Sequence, residues 1–262
     1  MLNRPQIKAD ARRLIHTAVV SPLIMSAIVL LIVFLLERIS DLAEYGDLFY
    51  TYTYDEAYMD ALLSGDVNAL PALVSRSPDI FPSFFSVLVN LFTIILYGGY
   101  YAYCLGIHRG VQMPYSTLLD GLSVSGKLIW CGIQMGVKTV LWGLLFFFPG
   151  IIAMYRYRFA YYNILTDPTM TASDAIRLSC RQTSGMKGQL FLLDLSFLGW
   201  LILPGVLSTV LSLMGLSPLA ILASIAIQIW LTPYTTLCDV AYYEEARQRL
   251  APPPPGWNNL NY

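Results

Sequence analysis

The stretch PGIIAMYRYRFAYYNILTDP, residues 149–168, decides how the chain folds. Two arginines and four tyrosines lie between its prolines, in surroundings that are almost entirely apolar. The stretch is either a loop outside a membrane or a membrane-spanning helix that keeps two charges inside it. The two alternatives place every later residue on opposite sides of the membrane.

Composition and three uncharged runs indicate the class of protein. The 262 residues are 56% hydrophobic and 13% charged, with a mean hydropathy of +0.57, which leaves too little polar surface for a soluble domain of this size. Ala18–Leu36 and Ile80–His108 contain no Asp, Glu, Lys or Arg over 19 and 29 residues, and Leu195–Cys238 contains none over 44. About 20 apolar residues cross the roughly 30 Å hydrocarbon core of a bilayer. We therefore predict an all-α, polytopic bundle of membrane-spanning helices.

The distribution of Lys and Arg favours six spans over five, because cytoplasmic loops carry an excess of these residues. If 149–168 contains a span, 11 Lys and Arg lie on the inner side and two on the outer side. If it is a loop, nine lie outside and six inside. We expect both termini in the cytoplasm and a short external turn at Pro149-Gly150. Within a membrane domain of 18–246, the predicted spans are 18–36, 80–107, 128–148, 150–166, 189–213 and 217–240.

Two segments outside the spans have distinctive compositions. Residues 37–79 form the one large outer segment and hold nine of the 17 acidic side chains. We expect a solvated, tyrosine-rich loop there, and a surface for a cationic peptide or a partner protein is the alternative. The tail, 247–262, contains four consecutive prolines and is expected to be disordered.

Two segments on the inner side are predicted to be short helices at the membrane surface. In residues 1–17 the apolar side chains share one helical face and basic side chains lie on another, which is typical of a helix on an anionic leaflet. That apolar face consists of Ile7, Ala11, Leu14 and Ile15. The second helix, 171–185, begins with Thr171 and Asp174 at capping-box spacing.

Among the charged side chains inside the predicted spans, we single out Lys138, Arg156, Arg158 and Asp194. Charges at such depth are rare, face protein or water, and by default mark functional sites. At about 1.5 Å of helix per residue, Arg158 lies roughly 12 Å from the inner end of the fourth span, and Asp194 about 10 Å along the fifth. Because consecutive antiparallel helices are neighbours, we predict an Arg158–Asp194 ion pair.

The surroundings of this ion pair allow two interpretations. Tyr155, Arg158 and Tyr162 share a helical face, so the pair can line a tyrosine-walled polar cavity whose excess positive charge suits an anion. Alternatively, the pair is a structural clasp, while Lys138 and Arg156 extend toward the membrane surface. The candidate ligand-binding residues are Lys138, Tyr155, Arg156, Arg158, Tyr162 and Asp194.

We find no pattern typical of a catalytic, metal or cofactor site. The four cysteines have no C-x-x-C spacing, only two histidines are present, and the P-loop and dinucleotide fingerprints are absent. A formal net charge of −1 without basic clusters argues against nucleic acid as a partner. We therefore expect a protein that is not an enzyme. Membrane lipids are its expected partners, and an ATPase or another membrane protein is a further candidate.

Several segments resemble one protein family. LGIHRG (105–110), the stretch 147–168, SDAIRLSCRQTSGMKGQLFLLDLSFLGW (173–200) and the late TPY (232–234) are similar to the bacterial integral-membrane proteins catalogued as domain of unknown function 975. The similarity covers most of 97–245. The resemblance implies a multi-pass protein of a bacterial cytoplasmic membrane, and it implies no assigned activity.

The leading hypothesis is a non-enzymatic membrane module that binds, or helps to move, an anionic or amphipathic molecule such as a lipid or peptide. One alternative is a permease subunit that a cytoplasmic ATPase drives through residues 171–185. Another is a membrane scaffold that binds partners through the loop 37–79.

Overall fold

A computed structural model describes residues 4–45, 64, 80–145 and 147–250. The chain divides into two compact units, Ile28–Ile94 and a larger unit formed by Met1–Ala27 with Ile95–Tyr262. Every regular element in the described ranges is a helix, which confirms the predicted all-α class. The elements are α1 (Arg4–Thr17), α2 (Pro22–Tyr45), α3 (Ile80–His108), a 3-10 helix (Tyr115–Leu119), α4 (Asp120–Ser123), α5 (Ser125–Leu145), α6 (Phe147–Tyr157), α7 (Ala160–Thr166), α8 (Ala172–Gln182), α9 (Lys187–Leu195), α10 (Leu198–Leu213) and α11 (Ser217–Leu250).

Five helical segments are long and apolar enough to cross a membrane, which indicates a membrane protein. They correspond to five of the six predicted spans. The sixth predicted span, 150–166, consists of the two shorter helices α6 and α7, separated by a turn at Arg158 and Phe159. Neither is long enough to cross a bilayer alone at about 1.5 Å per residue, so a sixth crossing stays a prediction. The five segments are Pro22–Leu42, Phe85–His108, Ser125–Leu145, Lys187–Leu211 and Pro218–Leu250.

Helices α5 and α6 form a tight antiparallel hairpin. Pro149 and Gly150 lie in the first turn of α6, and not in the external turn that we expected there. Proline is tolerated at this position because the first amides of a helix have no intrahelical acceptor. A β-carbon on Gly150 would lie 2.9 Å from the Cα of Gly143, so glycine permits the close approach of the two backbones.

The N-terminal helix packs on protein through the face that we expected to lie against lipid. Ile7, Ala11 and Ile15 are buried, and α1 contacts α11. Lys8 Nζ lies 4.3 Å from the centroid of the Phe197 ring, an arrangement that stabilises the cation. The apolar stripe was recognised correctly, but its partner is the helical bundle, because α11 offers a protein surface that covers it.

Two of the helices extend beyond their predicted ends. Helix α2 continues to Tyr45, so the first part of the predicted loop 37–79 is helical, and the rest of that loop except residue 64 lies outside the described residues. Helix α11 continues to Leu250, which corrects the predicted start of the tail at 247. An ion pair of 3.0 Å between Arg249 and Glu245, one turn apart, supports this last turn. Residues 251–262 lie outside the described residues.

The larger unit contains a close contact between α3 and the short helical segment that follows it. A β-carbon on Gly99 would lie 2.1 Å from the carbonyl oxygen of Leu118, and one on Gly121 would lie 2.2 Å from that of Ile95. Distances this short mean that only glycine fits at both positions. The pair therefore fixes the 3-10 helix and α4, neither of which we predicted, against the C-terminal half of α3.

Candidate functional site

The predicted site residues fall into two separate groups. Arg158, Asp194 and Tyr155 form one cluster, while Lys138 and Arg156 line a pocket elsewhere. Arg156 and Arg158 are two residues apart, and residues with this spacing do not share a helical face. The six candidate residues therefore do not line one common cavity in the described part of the chain.

The first group is an ion cluster around Arg158, which we call the Arg158 clasp. Arg158 Nη1 and Nη2 donate to the two carboxylate oxygens of Asp194 at 2.6 and 2.8 Å, which is the predicted ion pair in bidentate form. Nη2 also donates to Asp239 Oδ1 at 2.7 Å, and Nε donates to Oδ2 at 3.3 Å. The Tyr155 hydroxyl donates to Asp194 Oδ2 at 2.8 Å. The clasp thus joins the turn after α6 to α9 and α11.

Asp239 is the member of the clasp that sequence reasoning missed. With it, two carboxylates face one guanidinium, so the clasp carries a formal charge of −1 where we expected an excess of cations. The side chains of Arg158, Asp194 and Asp239 are 21%, 34% and 20% exposed. Asp239 directly follows the uncharged run Leu195–Cys238 and precedes the apolar VAYY. An isolated carboxylate inside an apolar helix indicates a functional or structural site, so the sequence did contain the information that identifies Asp239.

Side chains of α8 and of Thr183 just after it contact the backbone at the turn between α6 and α7. Ser179 Oγ accepts a hydrogen bond from the Phe159 amide at 3.1 Å and donates to the Arg156 carbonyl at 2.8 Å. The Thr183 hydroxyl approaches the same carbonyl at 3.4 Å. These backbone groups would otherwise be unpaired where the helix breaks. Helix α8 therefore stabilises the break that turns Arg158 toward the clasp.

A second polar contact between α8 and α7 reinforces this arrangement. The amide groups of Asn163 and Gln182 donate to each other's oxygen at 2.9 and 3.0 Å, and both side chains are buried. Asn163 also donates to the carbonyl of Ala175 at 3.1 Å. Because these three hydrogen bonds are made inside the protein, they fix α8 in position against α7.

Tyr162 lies beyond the break and, among the described residues, forms no hydrogen bond with the clasp. Its ring stacks on Tyr243 with 5.2 Å between centroids and lies 5.4 Å from the ring of Tyr101. Its side chain is buried in this aromatic core. Continuous helical spacing placed Tyr155 and Tyr162 on one face, but the turn at 158–159 ends that spacing.

The second group lines a cavity of about 320 Å³ between α5, α6 and α8, which we call the basic pocket. Lys138 comes from α5, Arg156 from α6, and Arg177 and Arg181 from α8. Lys138 Nζ donates to Gln134 Oε1 at 3.2 Å, and this oxygen also accepts a hydrogen bond of 3.2 Å from Ser173 of α8. Gln134 thereby fixes the lysine and joins α5 to α8. The pocket walls are Lys138, Arg156, Tyr157, Ile176, Arg177, Cys180 and Arg181.

Only one of the four cations in the basic pocket has a carboxylate partner among the described residues. Arg177 pairs with Asp174 on the exposed surface of α8. Hydrogen bonds from the Thr171 hydroxyl and from the Arg177 guanidinium lower the pKa of Asp174, so this pair is ionised at neutral pH. Lys138, Arg156 and Arg181 form no ion pair within the part of the chain that the structure describes.

An exposed apolar surface continues from the basic pocket along the α5–α6 hairpin, and we call it the hairpin face. Leu141 and Trp142 follow Lys138 by three and four residues and are 60% and 41% exposed. Ile152 precedes Arg156 by four residues and is 49% exposed, and Phe148 lies one further turn away. Side chains at these spacings share a face with the cation. The pocket and the hairpin face together present positive charge at one end and apolar surface at the other.

Arg177 and Arg181 are the pocket residues that sequence reasoning did not select. Their spacing of four residues places both on one face of α8, and this spacing can be recognised in the sequence. What the sequence did not show is that α8 packs against α5 and α6 with that face beside Lys138 and Arg156. Within the described ranges, no three His, Cys, Asp or Glu side chains are arranged to hold a metal ion.

Comparisons with known proteins identify a family. A family model described as "Protein of unknown function (DUF975)" matches residues 14–250. The match covers most of the chain, so the chain belongs to this family, and the predicted resemblance is confirmed. Neither a curated protein nor a solved structure matches the chain.

Proposed function

We propose that this member of the DUF975 family is a non-enzymatic membrane protein that binds the headgroup of an anionic lipid in the basic pocket. The observation that supports the proposal is the set of three cations, Lys138, Arg156 and Arg181, that face one cavity without a carboxylate partner among the described residues. Unpaired cations on the wall of one cavity repel one another, and an anionic group relieves that repulsion.

The hairpin face favours a lipid over the alternative ligand, a peptide with a free carboxylate. A cavity of about 320 Å³ is at the small end of ligand pockets, so it holds a headgroup while the rest of the molecule lies outside. Leu141, Trp142 and Ile152 offer exposed apolar surface next to the cations, suited to an acyl chain. In the predicted topology α8 lies on the cytoplasmic side, so the part of the pocket that α8 forms adjoins the inner leaflet.

The test is lipid analysis of the purified protein and of matched variants. We expect an anionic lipid to copurify with the wild type and to fall by about tenfold in Arg156→Ala and Arg181→Ala, since each loses a charge-assisted hydrogen bond. Arg247→Ala is the control, because Arg247 is an exposed arginine on α11 outside the pocket. Equal lipid content in all four proteins, or recovery of a bound peptide in place of lipid, would contradict the proposal.

The two other candidate functions gain no support from the described contacts. A permease subunit would present α8 to an ATPase, but Ala175, Ile176 and Ser179 are buried within the bundle and Arg181 lines the pocket. The scaffold hypothesis depends on the loop 37–79, most of which lies outside the described residues. Copurification of an ATPase that is lost on substitution of the exposed Ser173 would restore the first alternative.

A further inference from the structure

We infer that the headgroup is a phosphate monoester or a diphosphate, a group that carries at least two negative charges. This inference rests on the proposed lipid-binding function and specifies its ligand. It begins from the charge of the basic pocket. Asp174 offsets Arg177, whereas Lys138, Arg156 and Arg181 remain without an ion pair among the described residues. The pocket therefore presents an excess of three positive charges.

The size of this excess distinguishes the classes of anionic lipid. A phosphodiester headgroup, such as that of phosphatidylglycerol, carries one negative charge and leaves two of the three cations unneutralised. A phosphate monoester carries a charge of about −1.5 to −2 at neutral pH, because its second pKa is about 6. Neighbouring cations lower that pKa and favour the fully ionised form. A dianion or a diphosphate therefore neutralises most of the excess, and a diester does not.

The direction from which the cations approach leads to the same conclusion. Lys138, Arg156 and Arg181 belong to α5, α6 and α8, so they reach the cavity from three helices. A phosphate monoester has three terminal oxygens, whereas a diester has two. Arginine binds phosphate oxygens through a planar fork, and lysine binds as a point charge. Three cations on three walls match three terminal oxygens.

Lys138 and the backbone of Arg156 are held in place by contacts within the protein. Gln134 accepts the hydrogen bond from Lys138 Nζ and also contacts Ser173 of α8. The carbonyl of Arg156 accepts from Ser179. A preorganised set of donors binds a complementary anion more tightly than a flexible set does.

Cys180 provides a probe of pocket occupancy that requires no substitution. It lines the pocket and is partly exposed, whereas Cys104, Cys131 and Cys238 are buried. The rate at which a maleimide alkylates Cys180 is measured in phosphatidylcholine nanodiscs over a series of mole fractions of either phosphatidic acid, a monoester, or phosphatidylglycerol, a diester. Inorganic phosphate and pyrophosphate are added to undoped nanodiscs in separate arms.

We expect phosphatidic acid to protect Cys180 at about a tenfold lower mole fraction than phosphatidylglycerol, which corresponds to one additional charge-assisted hydrogen bond. The difference should disappear in Lys138→Gln. The double variant Cys180→Ser/Ser184→Cys is the control, because Ser184 is exposed just after α8 and lies outside the pocket wall. Alkylation at position 184 should respond equally to the two lipids.

The other outcomes separate this inference from the proposed function. Equal protection by the two lipids overturns the inference and leaves lipid binding standing. No protection by either lipid, in the wild-type protein, overturns lipid binding itself. Protection by inorganic phosphate or pyrophosphate at concentrations below those of phosphatidic acid supports the multiply charged phosphate and overturns the lipid as its source.

Discussion

Removal of the Arg158 guanidinium is expected to destabilise the protein strongly. In Arg158→Met, the carboxylates of Asp194 and Asp239 lose the cation that they share. Four hydrogen bonds to charged groups, at about 1.5–3 kcal/mol each, sum to more than the variant should lose, because the freed carboxylates, 34% and 20% exposed, regain water or protons. We therefore expect a loss of about 3–5 kcal/mol, the range for breaking a buried ion pair from one side.

The decisive comparison is with a variant that removes the carboxylates as well. Arg158→Met/Asp194→Asn/Asp239→Asn leaves no uncompensated charge, and it should be more stable than Arg158→Met alone by at least about 2 kcal/mol, since buried ion clusters are often replaced by neutral residues without loss. A simple exchange, Arg158→Asp with Asp194→Arg, should not restore stability. The new carboxylate at position 158 would face Asp239, which the exchange leaves unchanged.

The free energy of unfolding of these variants can be measured in mixed micelles from the fluorescence of the five tryptophans. Arg247→Met is the matched control, because its ion pair with Glu244 is 3.4 Å long and 51% exposed on the arginine side. Such surface pairs contribute about 0–1 kcal/mol. If Arg158→Met costs no more than Arg247→Met, or if the triple variant is less stable than Arg158→Met, the clasp does not hold the three helices together.

Three further predictions use the same unfolding measurement. Gly99→Ala should lower the free energy of unfolding by about 1–3 kcal/mol, because its β-carbon would meet a backbone carbonyl. Gly136→Ala, with no atom within 4 Å of its β-carbon, should be neutral or stabilising, and equal effects of the two substitutions would contradict the close contact. Ser179→Ala should cost about 1–3 kcal/mol by leaving buried backbone groups unpaired, while Ser184→Ala, at an exposed site, should change little. At pH values above about 3.9, the carboxyl pKa of Asp174 in the unfolded state, the thermal midpoint of the wild type should exceed that of Asp174→Asn. Because the folded-state pKa of Asp174 is lowered, this difference should vanish as the pH falls through it; a difference independent of pH would exclude the carboxylate as its source.

Much of the fold follows from the sequence, because the membrane allows few solutions. An uncharged run such as Ile80–His108 has to be helical in a bilayer, since no water satisfies its backbone. Five of the six predicted spans coincide with helices that are long and apolar enough to cross. The Arg158–Asp194 pair also followed from local information, since two opposite charges at similar depth on consecutive spans have few other partners.

The parts that the sequence did not reveal depend on contacts between distant segments. The stretch 149–168 has helical spacing throughout, and nothing local marks the break at Arg158 and Phe159. The break is stabilised by Ser179, 20 residues later, whose hydroxyl pairs the freed backbone groups. Asp239, 81 residues from Arg158, joins the clasp for the same reason: α11 lies beside the break only in the folded protein.

The break explains how two arginines two residues apart acquire different roles. Ser179 holds the Arg156 carbonyl, and α8, which carries Ser179, also supplies Arg177 and Arg181 to the basic pocket. One helix therefore positions the backbone of one cation and the side chains of two others. The Arg158 clasp fixes the other side of the same turn to α9 and α11 through Asp194 and Asp239. Because both sides of the turn are fixed by contacts within the protein, Arg156 is kept in the pocket with its charge unpaired, and that charge is available to a ligand.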